Sequence, residues 1–292
     1  MKVAIFTNLY KNYSSKILLS IIEKLQKNSL DVLIDNNSHN KLNQKKYFSI
    51  LNQVRSFSKI DKSINYIICV GGDGTILKAA SYVKNMRVPI IGINTGRLGF
   101  LAKIKASEID NVIESIIKKK YKISERTLIT ISYKNKNHTN KLGAALNEVS
   151  ITRKNTTSLI TIETKLNDEY LNTYWADGLI ISTPTGSTGY SLSCGGPIIM
   201  PESKNLVITP IAPHNLNARP LVIPDNTSIT LKIAGRENEF FVSLDSKITT
   251  LSNEMLILIK KAPYKIKMIQ LEKDNFLETL REKLYWGKDK RN

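Results

Sequence analysis

The chain has 292 residues, 41% hydrophobic and 23% charged, enough apolar length to bury two cores without disulfide or metal staples, so two domains are expected. Its two cysteines lack C-x-x-C spacing, no apolar run approaches the ~18 residues of a membrane span, and the N-terminus has no small-residue cleavage site, so a cytoplasmic protein is expected. A net charge of +18 and a pI near 9.7 would suit a nucleic-acid binder, but 34 Lys against nine Arg in an Ile- and Asn-rich chain follow A- and T-rich codons, and neither a specific nucleic acid nor a membrane is expected as partner.

In the first ~120 residues short apolar runs alternate with helix-spaced segments. Val3–Phe6 reads as a strand. Ile17, Ile21, Ile22 and Leu25 share a helical face, with Ser14-Ser15 as its N-cap region. Val32–Ile34 is a second strand, and the polar segment 36–59 shows some helical spacing in Leu51, Val54 and Phe57. Tyr66–Val70 is a buried type of strand that runs into Gly71-Gly72-Asp73-Gly74, and Ile76, Leu77, Ala80 and Val83 follow with helix spacing. Pro89–Ile93 is another strand, and a helix starting at Ser107-Glu108 carries Ile109, Val112, Ile113, Ile116 and Ile117. Such alternation implies a parallel sheet with helices on its faces.

Beyond Lys118–Lys120 the period changes to two, in Leu128–Tyr133 and Leu159–Glu163, with Asn167-Asp168 as a hairpin turn. Further short strands are expected at Leu179–Ser182, Leu206–Thr209, Ser228–Ile233, Phe240–Leu244, Leu256–Ile259 and Lys265–Ile269. Asn275–Leu284 has helix spacing, and a basic tail follows. The fold class is therefore α/β: a parallel-sheet N-terminal domain, residues 1–121, a β-sandwich domain, residues 122–270, and a C-terminal helical segment with its tail, residues 271–292.

Chemistry concentrates in two places. Gly71, Gly72 and Gly74 let the backbone turn tightly at the end of a buried strand, while the next helix points its N-terminal amides at the same spot. Ligands of open α/β sheets bind beyond the carboxyl ends of the strands. Asp73, in the middle of that loop, would repel a phosphate unless a metal intervenes or unless it takes a proton from a hydroxyl attacking that phosphate. The same residue would also serve as a plain helix-capping aspartate. The second place is residues 177–197, where a strand flows into small hydroxyl residues and glycines that could wrap a ribose or pyrophosphate, with Tyr190 as a flat face, or form an ordinary Ser/Gly turn. Asn147-Glu148 ends the run Leu142–Leu146. No Walker loop, H-R-D, G-x-G-x-x-G, H-E-x-x-H or G-x-S-x-G occurs, and His39, His138 and His214 are scattered.

GGDGT (71–75), GINTGRLGFL (92–101), NE (147–148) and DGLIISTPTGSTGYSLSCGGP (177–197), in this order and at these separations, resemble the bacterial NAD kinase family. GGDG is shared with phosphofructokinases and with diacylglycerol and sphingosine kinases, whereas the STPTGSTGYSLS stretch is specific to NAD kinases among these relatives. The resemblance spans nearly the whole chain. It implies an α/β domain carrying GGDG, a β-sandwich domain that binds NAD, and a cleft between them. It also implies transfer of the γ-phosphoryl group of ATP to the 2′-hydroxyl of the adenosine ribose of NAD, a divalent metal cation such as Mg²⁺, and a homodimer or homotetramer. By motif, Asp73 would be the general base, with Gly74 beside it and Lys78 near the nucleotide. Asn147 and Glu148 would hold the ribose and adenosine end, and Asp177, Thr188, Gly189, Tyr190, Ser191, Leu192 and Ser193 would line the NAD site. Ser158, Trp175 and Lys247 complete the expected nucleotide-binding set. Ser81, Gly189, Lys247 and Trp175 depart from the Arg, Ala, neutral and smaller residues usual at these positions. A lipid or sugar kinase sharing GGDG and a basic nucleic-acid-binding protein are the competing readings.

Overall fold

Short, uniformly aliphatic runs separated by amphipathic segments give one half of the chain a sheet covered on both faces. The computed structural model describes residues 1–7, 12–44, 54–135, 138–155, 158–272 and 274–287. The chain divides into two units, residues 1–125 with 266–292, and residues 126–265.

The first unit runs β1 (Lys2–Thr7), α1 (Asn12–Lys27), β2 (Asp31–Asp35), α2 (Asn36–Gln44), β3 (Arg55–Phe57), β4 (Tyr66–Gly71), α3 (Asp73–Val83), β5 (Ile90–Asn94), β6 (Ile104–Lys105), a 3-10 turn at Ala106–Glu108 and α4 (Ile109–Ile117). Its strands pair in parallel in the order β3-β2-β1-β4-β5. Val3 and Ile5 of β1 with Ile68 and Val70 of β4 pack against Leu18, Ile21, Ile22 and Leu25 of α1 and Val112, Ile113 and Ile116 of α4. Ile76, Ala79, Ala80 and Val83 bury one face of α3. The strand order reverses between β1 and β4, and a sheet of this kind opens a ligand crevice at the carboxyl ends beside such a reversal. Gly71-Gly72-Asp73-Gly74 lies at that end of β4.

Three local expectations change. Ser14 and Ser15 lie inside α1, which already runs from Asn12, so they do not cap it. Segment 36–59 starts as a helix because the Asp35 carboxylate accepts the Ser38 amide at 3.2 Å, an N-cap that the polar composition hid. Phe57 then lies on β3, paired in parallel with Asp35, and stacks edge-on against Phe6 at 5.1 Å, so its spacing from Val54 is not helical. Leu51 and the tail from residue 288 lie outside the described residues.

The second unit begins with the hairpin β7 (Lys122–Asn135) and β8 (His138–Ala145), whose first strand starts just before the division, then β9 (Glu148–Arg153). The hairpin β10 (Ile160–Leu166) and β11 (Glu169–Ala176) turns at Asn167 and Asp168, with φ of 49° and 69°. These are the left-handed values that a two-residue turn of this hand requires. β12 (Gly178–Ser182), a 3-10 turn at Gly186–Thr188, the short helix α5 (Tyr190–Ser193), β13 (Asn205–Ile211), β14 (Leu221–Pro224), β15 (Ile229–Ala234), β16 (Glu239–Leu244), β17 (Lys247–Ser252) and β18 (Leu256–Gln270) follow. One antiparallel sheet has the order β14-β13-β12-β9-β16-β17. In the other, β11, β10, β15 and β18 are neighbours, and β7 joins β18. Alternate residues of both sheets (Val149, Ile151, Leu179 and Phe240 from one, Ile129, Ile162, Leu231 and Ile257 from the other) share one core, so the unit is a β-sandwich.

The runs Leu256–Ile259 and Lys265–Ile269, expected as separate strands, form the single strand β18. Pro263 lies within it, exposed. The end of β18 returns to the first unit, where Met268 pairs with Ile90, and α6 (Phe276–Leu284) follows, capped by Asn275, whose Oδ1 accepts the Leu277 amide at 2.9 Å. Among the described residues no helix is long and apolar enough to cross a membrane.

Candidate functional site

In the first unit the site is built at the junction of β4 and α3. Asp73 is the first residue of α3, and its carboxylate turns back onto the loop after β5. Oδ2 accepts the Phe100 amide at 2.8 Å, and Oδ1 accepts Leu101 at 3.0 Å and Ala102 at 2.8 Å. Asn94 ties the same loop from its other end: Nδ2 donates to the carbonyls of Arg97 at 2.7 Å and Ala102 at 3.0 Å, and Oδ1 accepts the Gly96 amide at 2.6 Å. The ring of Phe100 packs against Phe276 of α6, with centroids 6.5 Å apart, so the C-terminal helix braces the loop that holds Asp73. The GINTGRLGFL motif thus has a physical role: its backbone orients the aspartate. Among the described residues a Cβ at Gly72 or Gly74 would meet nothing within 4 Å, so both glycines leave room at the helix terminus. Lys78 projects from the exposed side of α3, one turn further on. Asp73 and Gly74 therefore share the helix terminus, whereas no described contact ties Lys78 to them.

In the second unit the centre is Asn147-Glu148, at the start of β9. Asp245, in the turn between β16 and β17, accepts the amides of Leu146 at 3.0 Å, Asn147 at 2.8 Å and Glu148 at 3.2 Å, and its own amide donates to the Glu148 carbonyl at 3.0 Å. On the other side, Thr183 donates its hydroxyl to the Leu146 carbonyl at 2.6 Å and its amide to the Asn147 carbonyl at 2.8 Å. Among the described residues these bonds leave Asn147 Oδ1 and Glu148 Oε2 buried without a hydrogen-bond donor. Two adjacent unpartnered acceptors are costly unless a ligand supplies the donors. Burial, and then the neighbouring Asp245 charge, push the Glu148 carboxyl up to about 7, against the pull of the Tyr190 amide. Burial also raises Asp245, opposed by its three amide donors and by Lys247.

The loop 183–193 folds against this pair. Gly189 is adjacent, since a Cβ there would lie 3.0 Å from Glu148 Oε2 and 3.5 Å from Asn147 Nδ2. Tyr190 is exposed, and burial of its inner part raises its phenol, helped by Cys194 and Asp177. Most of the loop's hydroxyls are engaged internally. Ser187 Oγ donates to the Pro184 carbonyl at 2.7 Å, Thr188 Oγ1 to Thr185 at 3.3 Å, and the fully buried Ser191 shares a hydrogen bond with Thr209 at 2.8 Å. These side chains shape the loop and present its backbone, whereas Leu192 is half-buried and Ser193 exposed. Asn147, Glu148 and Thr188 through Ser193 are thus brought together.

The remaining candidates stand further out. Asp177 is paired with Arg153 at 3.0 Å, and its charge reaches Tyr190. Trp175 lies on β11, the end strand of its sheet, 53% exposed, with its ring 6.5 Å from that of His214. Ser158 is half-buried just before β10, and among the described residues no contact ties it to Asn147 or Glu148. Lys247 is exposed at the start of β17, where its charge acts on Asp245. Sequence reasoning passed over two supporting residues, Asp245 and Gly99. An Asp in a tight turn between two alternating runs was a visible signal for the first, and GRLGF for the second, but their partners are distant in sequence.

Comparison with known proteins places these features in context. Residues 3–121 match the model for the ATP-NAD kinase N-terminal domain and residues 146–271 the model for the ATP-NAD kinase C-terminal domain. The chain is 54% identical over 296 residues to the NAD kinase of Flavobacterium psychrophilum and 40% identical over 291 residues to that of Bacteroides fragilis, with 100% of each chain covered in both cases. Among solved structures, yeast NADH kinase complexed with NADH superposes with a TM-score of 0.88 at 24% identity, covering 99% of this chain and 89% of the other. An NAD kinase from Archaeoglobus fulgidus in complex with ATP gives 0.73 at 22% identity, covering 98% and 99%. At these identities the two structures speak for the fold.

Proposed function

The chain belongs to the ATP-NAD kinase family, and from that premise we propose that Asp73, Asn147 and Glu148 carry the transfer of the γ-phosphoryl group of ATP to the 2′-hydroxyl of the adenosine ribose of NAD, giving NADP. It is an ATP-dependent NAD kinase. The observation that carries the assignment of roles is the pair of buried acceptors without donors, Asn147 Oδ1 and Glu148 Oε2. A lipid headgroup has few donors to give them, whereas a ribose brings vicinal hydroxyls and an adenine brings an amino group.

The hydroxyl is a weak nucleophile and the triphosphate is highly charged, so catalysis rests on positioning, proton removal and charge stabilisation. Asp73, fixed by the amides of Phe100 to Ala102, takes the proton of the 2′-hydroxyl through a remaining lone pair of its carboxylate. The 2′-oxygen bonds to the γ-phosphorus as the bond to the β,γ-bridging oxygen breaks, and ADP leaves with that electron pair. The open N-terminus of α3 offers amides to the phosphate oxygens. Asn147 and Glu148 hold the adenosine end, and the backbone of residues 188–193 with Asp177 and Tyr190 lines the rest of the NAD site. The second unit is accordingly the NAD-binding domain, and the first the nucleotide-binding domain that carries GGDG.

The described residues contain no group of three or more His, Cys, Asp or Glu able to hold a metal ion, and the Asp73 carboxylate is bonded to three amides. These residues offer no all-protein metal cage, and Mg²⁺, which such sites hold through one or two carboxylates and the substrate phosphates, would enter with ATP. The free thiols Cys69 and Cys194 suit a cytoplasmic location. The end strand β11, with Tyr170 and Trp175 exposed, offers an edge for a homodimer or homotetramer, which light scattering would measure. Incubation of the purified chain with MgATP and NAD, NADH, a diacylglycerol or fructose 6-phosphate tests the substrate class. NADP formation from NAD is expected, and phosphorylation of the lipid or sugar alone would overturn the proposal.

A further inference from the structure

Asp245 lies outside the GGDG, Asn147-Glu148 and 177–197 motifs, yet its carboxylate accepts three amides of the Leu146–Glu148 backbone, against one bond there from the Thr183 hydroxyl. It sits at φ 50°, in the left-handed region that Asp and Asn accept more readily than other non-glycine residues. That conformation turns the carboxylate across the chain, where three successive amides, Leu146 to Glu148, converge on its two oxygens while its own amide returns a bond to the Glu148 carbonyl. The clamp fixes the position of β9 at which the unpartnered acceptors emerge.

We propose that Asp245 is a positioning residue of the nucleotide site, clamping the Leu146–Glu148 backbone so that the Asn147 and Glu148 side chains are presented to the ligand. The proposal rests on the reading of Asn147 and Glu148 as the adenosine-binding pair. The groups around Glu148 are few. The β16–β17 turn contributes Asp245 and, acting on Asp245, Lys247. The short helix α5 contributes the Tyr190 amide, with the Tyr190 phenol and Cys194 beyond it and the Asp177 charge acting on that phenol. Among them, the Asp245 charge acts on Glu148 and opposes its ionisation, as burial does. When Glu148 is ionised, both orphaned oxygens accept donors from the ligand. When it is protonated, the carboxyl carries an O–H donor and accepts more weakly, so nucleotide affinity falls as pH falls through about 7.

The test is kcat and KM for NAD from pH 5.5 to 8.5 in the parent and in Asp245→Asn and Glu148→Gln, with Tm measured for each. Asn keeps the left-handed turn but places an N–H donor where one oxygen accepted an amide, and it removes the charge. In the parent, kcat/KM for NAD should rise through a limb near 7, carried by KM. In Asp245→Asn the limb should move down by ~0.5 unit or more while KM at neutral pH rises severalfold. Glu148→Gln should lose the limb. A uniform loss of rate in Asp245→Asn with the limb unmoved would mean a purely structural role and would overturn the proposal. If Asp245→Asn fails to fold, Glu148→Gln decides: a limb that persists in it also overturns the proposal. A parent that makes no NADP at any pH contradicts the nucleotide reading itself, which is a separable failure.

Discussion

Gly99 lies against the carboxylate of Asp73 so closely that a Cβ at position 99 would stand 2.7 Å from its carboxyl carbon. No real Cβ tolerates such a contact, and Asp73 has nowhere to retreat while three amides of the same loop hold it. Gly99→Ala should therefore displace the aspartate, with kcat falling ~10²-fold or more and stability dropping by roughly 1–3 kcal/mol. Steady-state kinetics with a thermal melt checks both, and an alanine variant with near-parent kcat would show that the observed Asp73 geometry is not the catalytic one.

Asp73→Asn removes the proton acceptor while keeping the side-chain shape. The expected outcome is a folded protein whose turnover is lower by ~10²–10⁴-fold, with KM for NAD changed far less. Near-normal turnover would remove Asp73 from proton transfer and leave it the role of organising residues 98–102.

Gly186 marks a second close approach, between the hydroxyl-rich loop and the Asn147 backbone. A Cβ there would lie 2.7 Å from Asn147 Cα. Because the obstacle is backbone, it cannot rotate aside, and Gly186→Ala should cost ~1–3 kcal/mol and raise KM for NAD through displacement of Asn147. Chemical denaturation and KM give the two readings. An unchanged KM would uncouple the loop from the site.

Glu148 also makes stability depend on pH. Its carboxyl is held up to about 7 from an ordinary 4.5, so between those values the folded chain retains a proton that the unfolded chain has lost. The associated stability is fully present below about 4.5 and declines as pH rises to about 7. Glu148→Gln cannot charge, so it should gain on the parent by ~1–3 kcal/mol at pH 8 and by little at pH 4.5. Urea unfolding of both proteins at the two pH values measures this, and a parallel pH dependence would show that Glu148 is not the group responsible.

Lys247 tests the far end of the NAD site. Oxidised nicotinamide is cationic and the reduced ring is neutral, so a lysine facing it would weaken NAD relative to NADH, by less than about fivefold for a residue this exposed. Lys247→Gln should shift the kcat/KM ratio toward NAD by a factor within that limit. An unchanged ratio would confine Lys247 to its action on Asp245.

The parts of the structure that were legible in sequence are those whose signal is local. The aliphatic run Tyr66–Val70, the glycines after it and the spacing of Ile76, Ala80 and Val83 together specify strand, turn and helix. Asn167-Asp168 specifies a hairpin by left-handed propensity alone. What stayed hidden depends on partners distant in sequence. β3 exists because Leu33 and Ile34 offer it a parallel neighbour, and β18 runs on through the exposed Pro263. The loop at 183–193 looked like a row of ligand donors, but folding directs Thr183, Ser187 and Ser191 to groups inside the protein. Asp245 acts on residues 97 to 99 positions earlier in the chain, a distance no local pattern reveals.

The central claim is phosphoryl transfer to one hydroxyl of one substrate, and the most direct measurement is the position of the phosphate in the product. Purified chain with NAD and MgATP labelled at the γ-phosphate should yield labelled dinucleotide, fully reducible by an NADP-specific dehydrogenase and showing a 2′-phosphomonoester by phosphorus NMR. Label left on ATP, released as inorganic phosphate or found at another position of NAD would contradict the assigned reaction.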